Sequence, residues 1–344
     1  MIRFNCDYSE GAHPKVLEKL IETNMEQTAG YGTDQHCSSA AELIKAECGR
    51  QDIDVHFLVG GTQTNMTVIS AVLRPHQGVL SADSGHINTH ETGAIEATGH
   101  KVLALPASDG KLTTARIQEA YDLHFNDETH EHIVQPKMVY ISNPTEIGTI
   151  YSKAELTAIS ETCRKNDLIL FMDGARLGYA LCAGNNDLDL AEISRLCDVF
   201  YIGGTKIGAL FGEALVICRD ELKKDFRYIL KQRGGMLAKG RLLGVQFEAL
   251  FEDGLYFKMA GHANRMAMLI KDAFIKKGYG FLVESTTNQQ FPIIPDAELR
   301  SLKENFEYSF WQKVNDNTSA VRFCTSWATG EEDVRQLISE IDKL

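Results

Sequence analysis

The sequence predicts an α/β protein built on a mostly parallel, seven-stranded sheet that helices cover on both faces. Three observations lead to this prediction. Apolar runs of strand length alternate with helix-length segments as far as residue 218, and several of these runs are apolar at every position. Strands that are apolar throughout are typical of parallel sheets buried on both sides. A pattern that begins with a helix replaces the alternation after about residue 245.

The predicted strands of the large sheet follow one another at the spacing of strand–helix units. They cover residues 54–59, 78–81, 101–105, 138–142, 168–173, 199–202 and 209–218. Ser152 and Glu155 have the spacing of a capping box, which predicts the start of the helix before strand 168–173. The ligand site of such a sheet is expected at the carboxyl ends of its strands.

The last hundred residues have a different organisation. A long amphipathic helix is predicted at about 254–277, and strands are predicted near 281–284, 290–294 and 320–325. We therefore predict a large α/β domain of residues 1–245, which includes the N-terminal segment, and a small C-terminal α+β domain of residues 246–344.

The composition excludes several classes of protein. The chain has 47 acidic against 35 basic residues and a formal net charge of −12, which argues against a nucleic-acid surface. It contains no apolar run long enough for a signal peptide or a membrane span, so we expect no membrane partner. Its eight cysteines are scattered without a CxxC pair. We interpret them as reduced thiols and expect a cytoplasmic protein.

An aspartate and a lysine stand at the ends of two successive strands. Asp173 ends strand 168–173, and Lys206 follows strand 199–202 after two glycines. One strand–helix–strand unit separates them, so both side chains can lie at the same edge of the sheet. A carboxylate there can hold a pyridinium proton, and a desolvated lysine can form a Schiff base with an aldehyde. Because pyridoxal phosphate (PLP) needs both groups, the pair indicates a PLP enzyme.

A possible anion site follows the first strand of the sheet. Strand 54–59 runs into Gly60-Gly61-Thr62 and then into a helix, so free amides and the helix dipole point at one place. Thr62 would serve equally well as a plain N-cap. The spacing matches neither the dinucleotide GxGxxG fingerprint nor the P-loop, so an NAD-type Rossmann protein is the weaker alternative.

Two histidines, His86 and His90, lie four residues apart and could ligate a metal ion if they were helical. No HExxH pattern or Cys/His cluster accompanies them. We therefore predict no metal site. Stacking of one histidine on a planar cofactor is the better functional interpretation, and a buried, hydrogen-bonded histidine is the structural alternative.

Motifs along nearly the whole chain resemble those of the threonine aldolase / β-eliminating lyase family of fold-type I PLP enzymes. They are Tyr31-Gly32-Thr33-Asp34, Gly60-Gly61-Thr62-Gln63-Thr64-Asn65, His86-Ile87, Asp173-Gly174-Ala175-Arg176, Thr205-Lys206 and Val321-Arg322-Phe323-Cys324-Thr325-Ser326-Trp327. The likeness is nearest to the low-specificity threonine aldolase and phenylserine aldolase branch. It implies a fold-type I PLP-dependent transferase-like fold. It also implies a lyase that cleaves a β-hydroxy-α-amino acid (L-threonine, L-allo-threonine or phenylserine-like) to glycine and an aldehyde.

The resemblance also implies roles around the cofactor. Lys206 would bind PLP covalently, and Asp173 would pair with the pyridine nitrogen. His86 would stack on the ring and take part in proton transfer, and Gly61 and Thr62 would hold the phosphate. Together with Arg176, these five residues form the expected cofactor site.

Further residues are expected to bind the amino acid substrate. Arg176 would lie near the phenolic oxygen of the cofactor and the substrate carboxylate, and Arg322 would bind that carboxylate. Cys6 and His90 stand where the family usually has a serine and a tyrosine close to the substrate. Tyr31 is expected to reach the active site of a neighbouring subunit in a homodimer or homotetramer.

The chain departs from the family in one place that matters for mechanism. Pro144-Thr145 stands where threonine aldolases carry a Thr-His pair. The base that takes the hydroxyl proton therefore stays open among His86, His90 and a bound water. Two alternative functions also stay open: PLP-dependent β-elimination from another amino acid, and PLP binding without catalysis.

Overall fold

Thirteen strands and thirteen α-helices make up the computed structural model, which describes residues 1–344. The strands are β1 (Ile2–Arg3), β2 (Asp54–Leu58), β3 (Gln77–Ala82), β4 (Val102–Leu105), β5 (Gln135–Ser142), β6 (Ile169–Asp173), β7 (Val199–Gly203), β8 (Glu213–Ile217), β9 (Gln289–Gln290), β10 (Ile293–Pro295), β11 (Phe306–Glu307), β12 (Ser309–Asn315) and β13 (Thr318–Cys324). The helices are α1 (Pro14–Glu22), α2 (Gln35–Cys48), α3 (Gly61–Val72), α4 (His86–Thr89), α5 (Thr114–Phe125), α6 (Lys153–Lys165), α7 (Leu177–Leu181), α8 (Leu190–Leu196), α9 (Phe226–Gln232), α10 (Arg241–Phe251), α11 (Leu255–Lys276), α12 (Asp296–Leu302) and α13 (Glu331–Ile341). None of the helices combines the length and the hydropathy that a membrane span requires.

Seven strands form the large sheet in the order β2-β8-β7-β6-β5-β3-β4. Six of them run in the same direction, and β8 runs antiparallel to both of its neighbours. The predicted seven-stranded, mostly parallel sheet is therefore confirmed. The last strand is shorter than predicted, because it begins at Glu213 rather than at residue 209. The residues before it form a tight loop, in which the Gly204 N–H donates to the Gly212 carbonyl oxygen at 2.9 Å.

The central strands send alternate side chains into two separate cores. In β6, Leu170 and Met172 belong to a cluster of 44 buried residues on one face of the sheet. Ile169 and Phe171 belong to a cluster of 18 buried residues on the other face. Because side chains alternate along a strand, Asp173 projects from the same face as Phe171.

Helix α3 covers that second face, since Val68 and Ile69 belong to the same 18-residue cluster. Tyr201 of β7 belongs to it too, and the register of β7 with β8 pairs Gly203 with Glu213. Glu213 therefore projects toward the face that α3 covers. The capping box predicted at the start of α6 is also present.

The C-terminal residues form a smaller sheet in the order β10-β13-β12, with β9 beside β13. The predicted strand at 281–284 is wrong: only Phe281 makes an isolated bridge, with Pro292. Strand β12 was not predicted, because it is an edge strand whose mixed polar and apolar residues are mostly exposed. Helices α11 and α13 pack on this sheet through a cluster of 14 buried residues.

The N-terminal segment reaches this smaller sheet region. Strand β1 pairs with β11 in parallel, and Phe4 belongs to the 14-residue cluster. The predicted domain boundary at residue 245 falls inside helix α10. The division into two domains stays a prediction.

Gly174 allows the ends of β6 and β7 to approach each other next to Asp173. A Cβ atom at Gly174 would lie 1.8 Å from the carbonyl oxygen of Tyr201. We expect Gly174→Ala to lower the free energy of unfolding by roughly 3 kcal/mol, because the two backbones must separate. Gly184→Ala is the matched control, since a Cβ there meets nothing within 4 Å, and its effect should stay within about 0.5 kcal/mol. Urea denaturation measures both, and equal stability of the two variants contradicts the prediction.

Candidate active site

A cavity of about 200 Å³ opens at the carboxyl edge of the large sheet. The ends of β5, β6 and β7 and the start of α3 contribute to its wall. Six of the ten predicted site residues line it: Gly61, Thr62, His86, Asp173, Arg176 and Lys206. Residues spread over about 150 positions of the chain thus meet in one place.

Asp173 is a buried carboxylate in the wall of this cavity. Its Oδ2 atom accepts hydrogen bonds from the Tyr140 hydroxyl and, at 3.2 Å, from the Asn65 amide, and its Oδ1 accepts from the Ala175 N–H at 2.9 Å. Burial acts to raise the pKa of Asp173, but the charge of His86 and the Tyr140 hydrogen bond outweigh it and lower this pKa. Asp173 therefore stays ionised, and a protonated ring nitrogen in the cavity would suit it.

Lys206 lies in the loop that follows β7. The Tyr179 hydroxyl donates to its backbone carbonyl oxygen at 2.6 Å, which holds the loop in place. Burial and the nearby charge of Arg176 lower the pKa of Lys206, although the charge of Asp7 acts to raise it. A lower pKa makes the neutral amine more accessible, and this is the form that attacks a carbonyl carbon.

The N-terminus of helix α3 forms part of the cavity wall. Its N-cap is Gly60, which has extended backbone angles, so the alternative of Thr62 as the N-cap is wrong. The first amides of a helix have no partner within it. Gly61 and Thr62 therefore present free N–H groups and the positive end of the helix dipole to the cavity, where an anion such as phosphate would bind.

His86 is oriented by a buried acid. Its Nδ1 atom lies 2.8 Å from Oε1 of Glu91, and the Asn65 amide donates to the same oxygen at 2.7 Å. Burial acts to lower the pKa of His86, but the hydrogen bond with Glu91 and the charge of Asp173 outweigh it and raise this pKa. Because Glu91 occupies Nδ1, the Nε2 atom is the ring nitrogen left for a ligand.

Arg176 is held from behind by Asp7. Its Nε atom and one terminal nitrogen donate to the two Asp7 oxygens at 2.7 and 2.9 Å. The Asn288 amide also donates to Asp7, at 2.9 Å. Burial acts to raise the pKa of Asp7, but the charges of Arg176 and Lys206 outweigh it and lower this pKa to about 2. The remaining terminal nitrogen of Arg176 can bind a carboxylate in the cavity.

Three predicted substrate residues, Cys6, His90 and Arg322, lie outside the cavity wall. Cys6 directly precedes Asp7, and the ring of His90 lies 5.7 Å from the ring of His86. The Arg322 guanidinium donates only to uncharged oxygen atoms, at 2.9 to 3.4 Å. It thus has no acidic partner within the chain and could bind an external carboxylate.

Tyr31 also lies away from the cavity that contains Lys206. The ammonium group of Lys231 lies 4.5 Å from the centre of its ring, and an Arg227 nitrogen donates to its carbonyl oxygen at 3.1 Å. Together with Cys37 and other residues, Tyr31 lines a second cavity of about 150 Å³. Within its own chain, Tyr31 does not reach the predicted cofactor site.

Two acidic residues of the cavity wall, Glu146 and Glu213, escaped the sequence analysis. Glu213 accepts a hydrogen bond from the Thr205 hydroxyl at 2.9 Å, and burial raises its pKa to about 8 even though Lys206 acts to lower it. A signal for Glu213 was available, since it is the only acidic residue of the otherwise apolar strand β8. Glu146 lies in a polar loop and gave no such signal.

The comparisons with known proteins agree with this geometry. A sequence model of the beta-eliminating lyase family matches residues 6–297. A low specificity L-threonine aldolase of a Pseudomonas species is 32% identical over 98% of this chain and 96% of its own length. Another, of Pseudomonas aeruginosa, is 30% identical over the same shares.

Solved structures support the same assignment. A threonine aldolase of Leishmania major is 48% identical, with a TM-score of 0.97 over 100% of this chain and 99% of its own. A Thermus thermophilus aspartate aminotransferase variant is 16% identical, with a TM-score of 0.73 over 100% of this chain and 91% of its own, which shows a shared fold alone. The fold-type I architecture implied by the motifs is confirmed. The chain belongs to the beta-eliminating lyase family.

Proposed function

We propose that this protein is a PLP-dependent aldolase that cleaves β-hydroxy-α-amino acids of the L-threonine, L-allo-threonine or phenylserine type to glycine and an aldehyde. The observation that carries the proposal is that an ionised, buried Asp173 and a Lys206 of lowered pKa line one cavity. The names of the Pseudomonas and Leishmania relatives, all threonine aldolases, support the reaction type.

The residues around the cavity fit PLP part by part. Lys206 would bind the cofactor covalently, and Asp173 would keep its ring nitrogen protonated. Gly61 and Thr62 would hold the phosphate at the start of α3, and His86 would lie against the ring. When bound, the cofactor supplies an electron sink for the electron pair left on Cα.

The arginines would fix the orientation of the substrate. Asp7 holds Arg176 so that one terminal nitrogen is free for a carboxylate, and Arg322 offers a second guanidinium without an acidic partner. Cys6 and His90 would lie on the substrate side of the site. A fixed carboxylate determines which of the Cα bonds is aligned for cleavage, so these residues would direct the reaction to the Cα–Cβ bond.

The proposal includes a cytoplasmic location and a homodimer or homotetramer with shared active sites. Eight unpaired cysteines suit a reducing compartment. Tyr31 lies outside the Lys206 cavity of its own chain, which suits a contribution to the site of a neighbouring subunit. We expect size-exclusion chromatography to give a mass of at least twice 38.3 kDa. Elution as a monomer would contradict shared sites.

Incubation of the PLP-loaded protein with L-threonine or phenylserine tests the proposed reaction. We expect glycine and the matching aldehyde in equal amounts, measured by NMR. In Lys206→Ala, the absorbance band of the covalently bound cofactor and the aldehyde should both disappear, because the amine that binds the cofactor is gone. Lys165→Ala, which removes an exposed lysine of α6, is the control and should retain both. A keto acid in place of the aldehyde would indicate β-elimination.

Asp173→Asn tests the role of the buried carboxylate. Asparagine has nearly the same shape, but it carries no charge to keep a ring nitrogen protonated. We expect kcat for aldehyde release to fall by about 100-fold or more, with a changed absorbance spectrum of the bound cofactor. Steady-state assays at saturating PLP measure the effect. An unchanged kcat would show that the charge of Asp173 plays no part in the reaction.

A further inference from the structure

We propose that Glu146 accepts the proton of the β-hydroxyl group of the substrate. This assignment rests on the proposed aldolase function. Glu146 lies in the loop after β5 and lines the same cavity as Asp173 and Lys206. An amino acid bound near Lys206 in this cavity can therefore contact Glu146.

The two oxygens of Glu146 have different surroundings. Oε1 accepts hydrogen bonds from the backbone N–H of His86 at 3.0 Å and from the Ser142 hydroxyl at 2.8 Å. Oε2 has no hydrogen-bond partner among the side-chain contacts of the chain, and it is not one of the fully buried atoms. Two donors thus fix the orientation of the carboxylate, while one oxygen keeps its lone pairs for a proton.

The other ionisable groups of the cavity are already committed. Both oxygens of Asp173 accept hydrogen bonds from the protein. Glu91 favours the protonated form of His86. Burial raises the pKa of Glu213 to about 8, so at neutral pH this side chain holds a proton. Lys206 is the residue that would bind the cofactor.

The surroundings of Glu146 also increase its basicity. Burial and the neighbouring charge of Asp173 raise the pKa of Glu146, while the Ser142 hydrogen bond acts to lower it. A carboxylate with a raised pKa is a stronger proton acceptor, because its pKa lies closer to the working pH. This direction agrees with the role that the geometry assigns.

The step balances without an added reactant. The hydroxyl O–H bond breaks, and its proton moves to Oε2 of Glu146. The electron pair of that bond forms the second C–O bond of the aldehyde while the Cα–Cβ bond breaks. The Cα–Cβ electron pair stays with Cα, which then takes up a proton to become glycine. Glu146 releases its proton to water and is ready for the next substrate.

Glu146→Gln tests the assignment in the PLP-loaded enzyme. The glutamine Oε1 can still accept from His86 and Ser142, but the side chain can no longer take a proton. We expect kcat for aldehyde release from L-threonine and phenylserine to fall by about 100-fold or more. Exchange of the glycine α-proton with deuterated water, followed by NMR, should keep its rate, because it involves no hydroxyl group.

Ser142→Ala is the matched control, since it removes one donor to Oε1 and leaves the carboxylate intact. Its aldehyde release should fall far less than that of Glu146→Gln. Unchanged aldehyde release in Glu146→Gln, or an equal loss of release and exchange, would overturn the assignment. If the unaltered enzyme releases no aldehyde from either substrate, the proposed function itself is overturned, and the assignment with it.

Discussion

The buried, ionised carboxylate of Asp173 is the feature on which the rest of the site depends. Burying such a charge is costly unless hydrogen bonds compensate, and here Tyr140, Asn65 and the Ala175 amide supply them. Asn65 also donates to Glu91 at 2.7 Å. One neutral amide thus bridges the two carboxylates and keeps them apart, whereas direct contact between two carboxylates would disfavour the charge on one of them.

The parallel sheet explains why complementary charges meet at this edge. Strands that run in the same direction bring their carboxyl ends together, and helix α3 begins at the same edge as the loop that follows β7. In the proposed site, these amides and cations would face a phosphate or a carboxylate, and Asp173 would face a ring nitrogen. The antiparallel strand β8 starts at this edge, so Glu213 enters the wall as well.

In the proposed mechanism, similar side chains take different roles because their surroundings differ. Burial raises the pKa of Glu213 to about 8, so this side chain holds a proton at neutral pH. Glu146 has two donors on Oε1, and its Oε2 is not among the buried unpartnered atoms, which suits proton acceptance. Different local environments are a general way of giving chemically similar acids different roles within one site.

The sequence by itself determined the seven-stranded sheet and the placement of Asp173 and Lys206 at the ends of two of its strands. Apolar runs at strand–helix spacing are local patterns, and Asp173 and Lys206 end neighbouring strands, so their proximity follows from connectivity. Only the tertiary structure decided the pairing of Asp7 with Arg176, the position of Glu146 and the exposed edge strand β12. Contacts between residues far apart in the chain leave no periodic signal, because they depend on how whole elements pack.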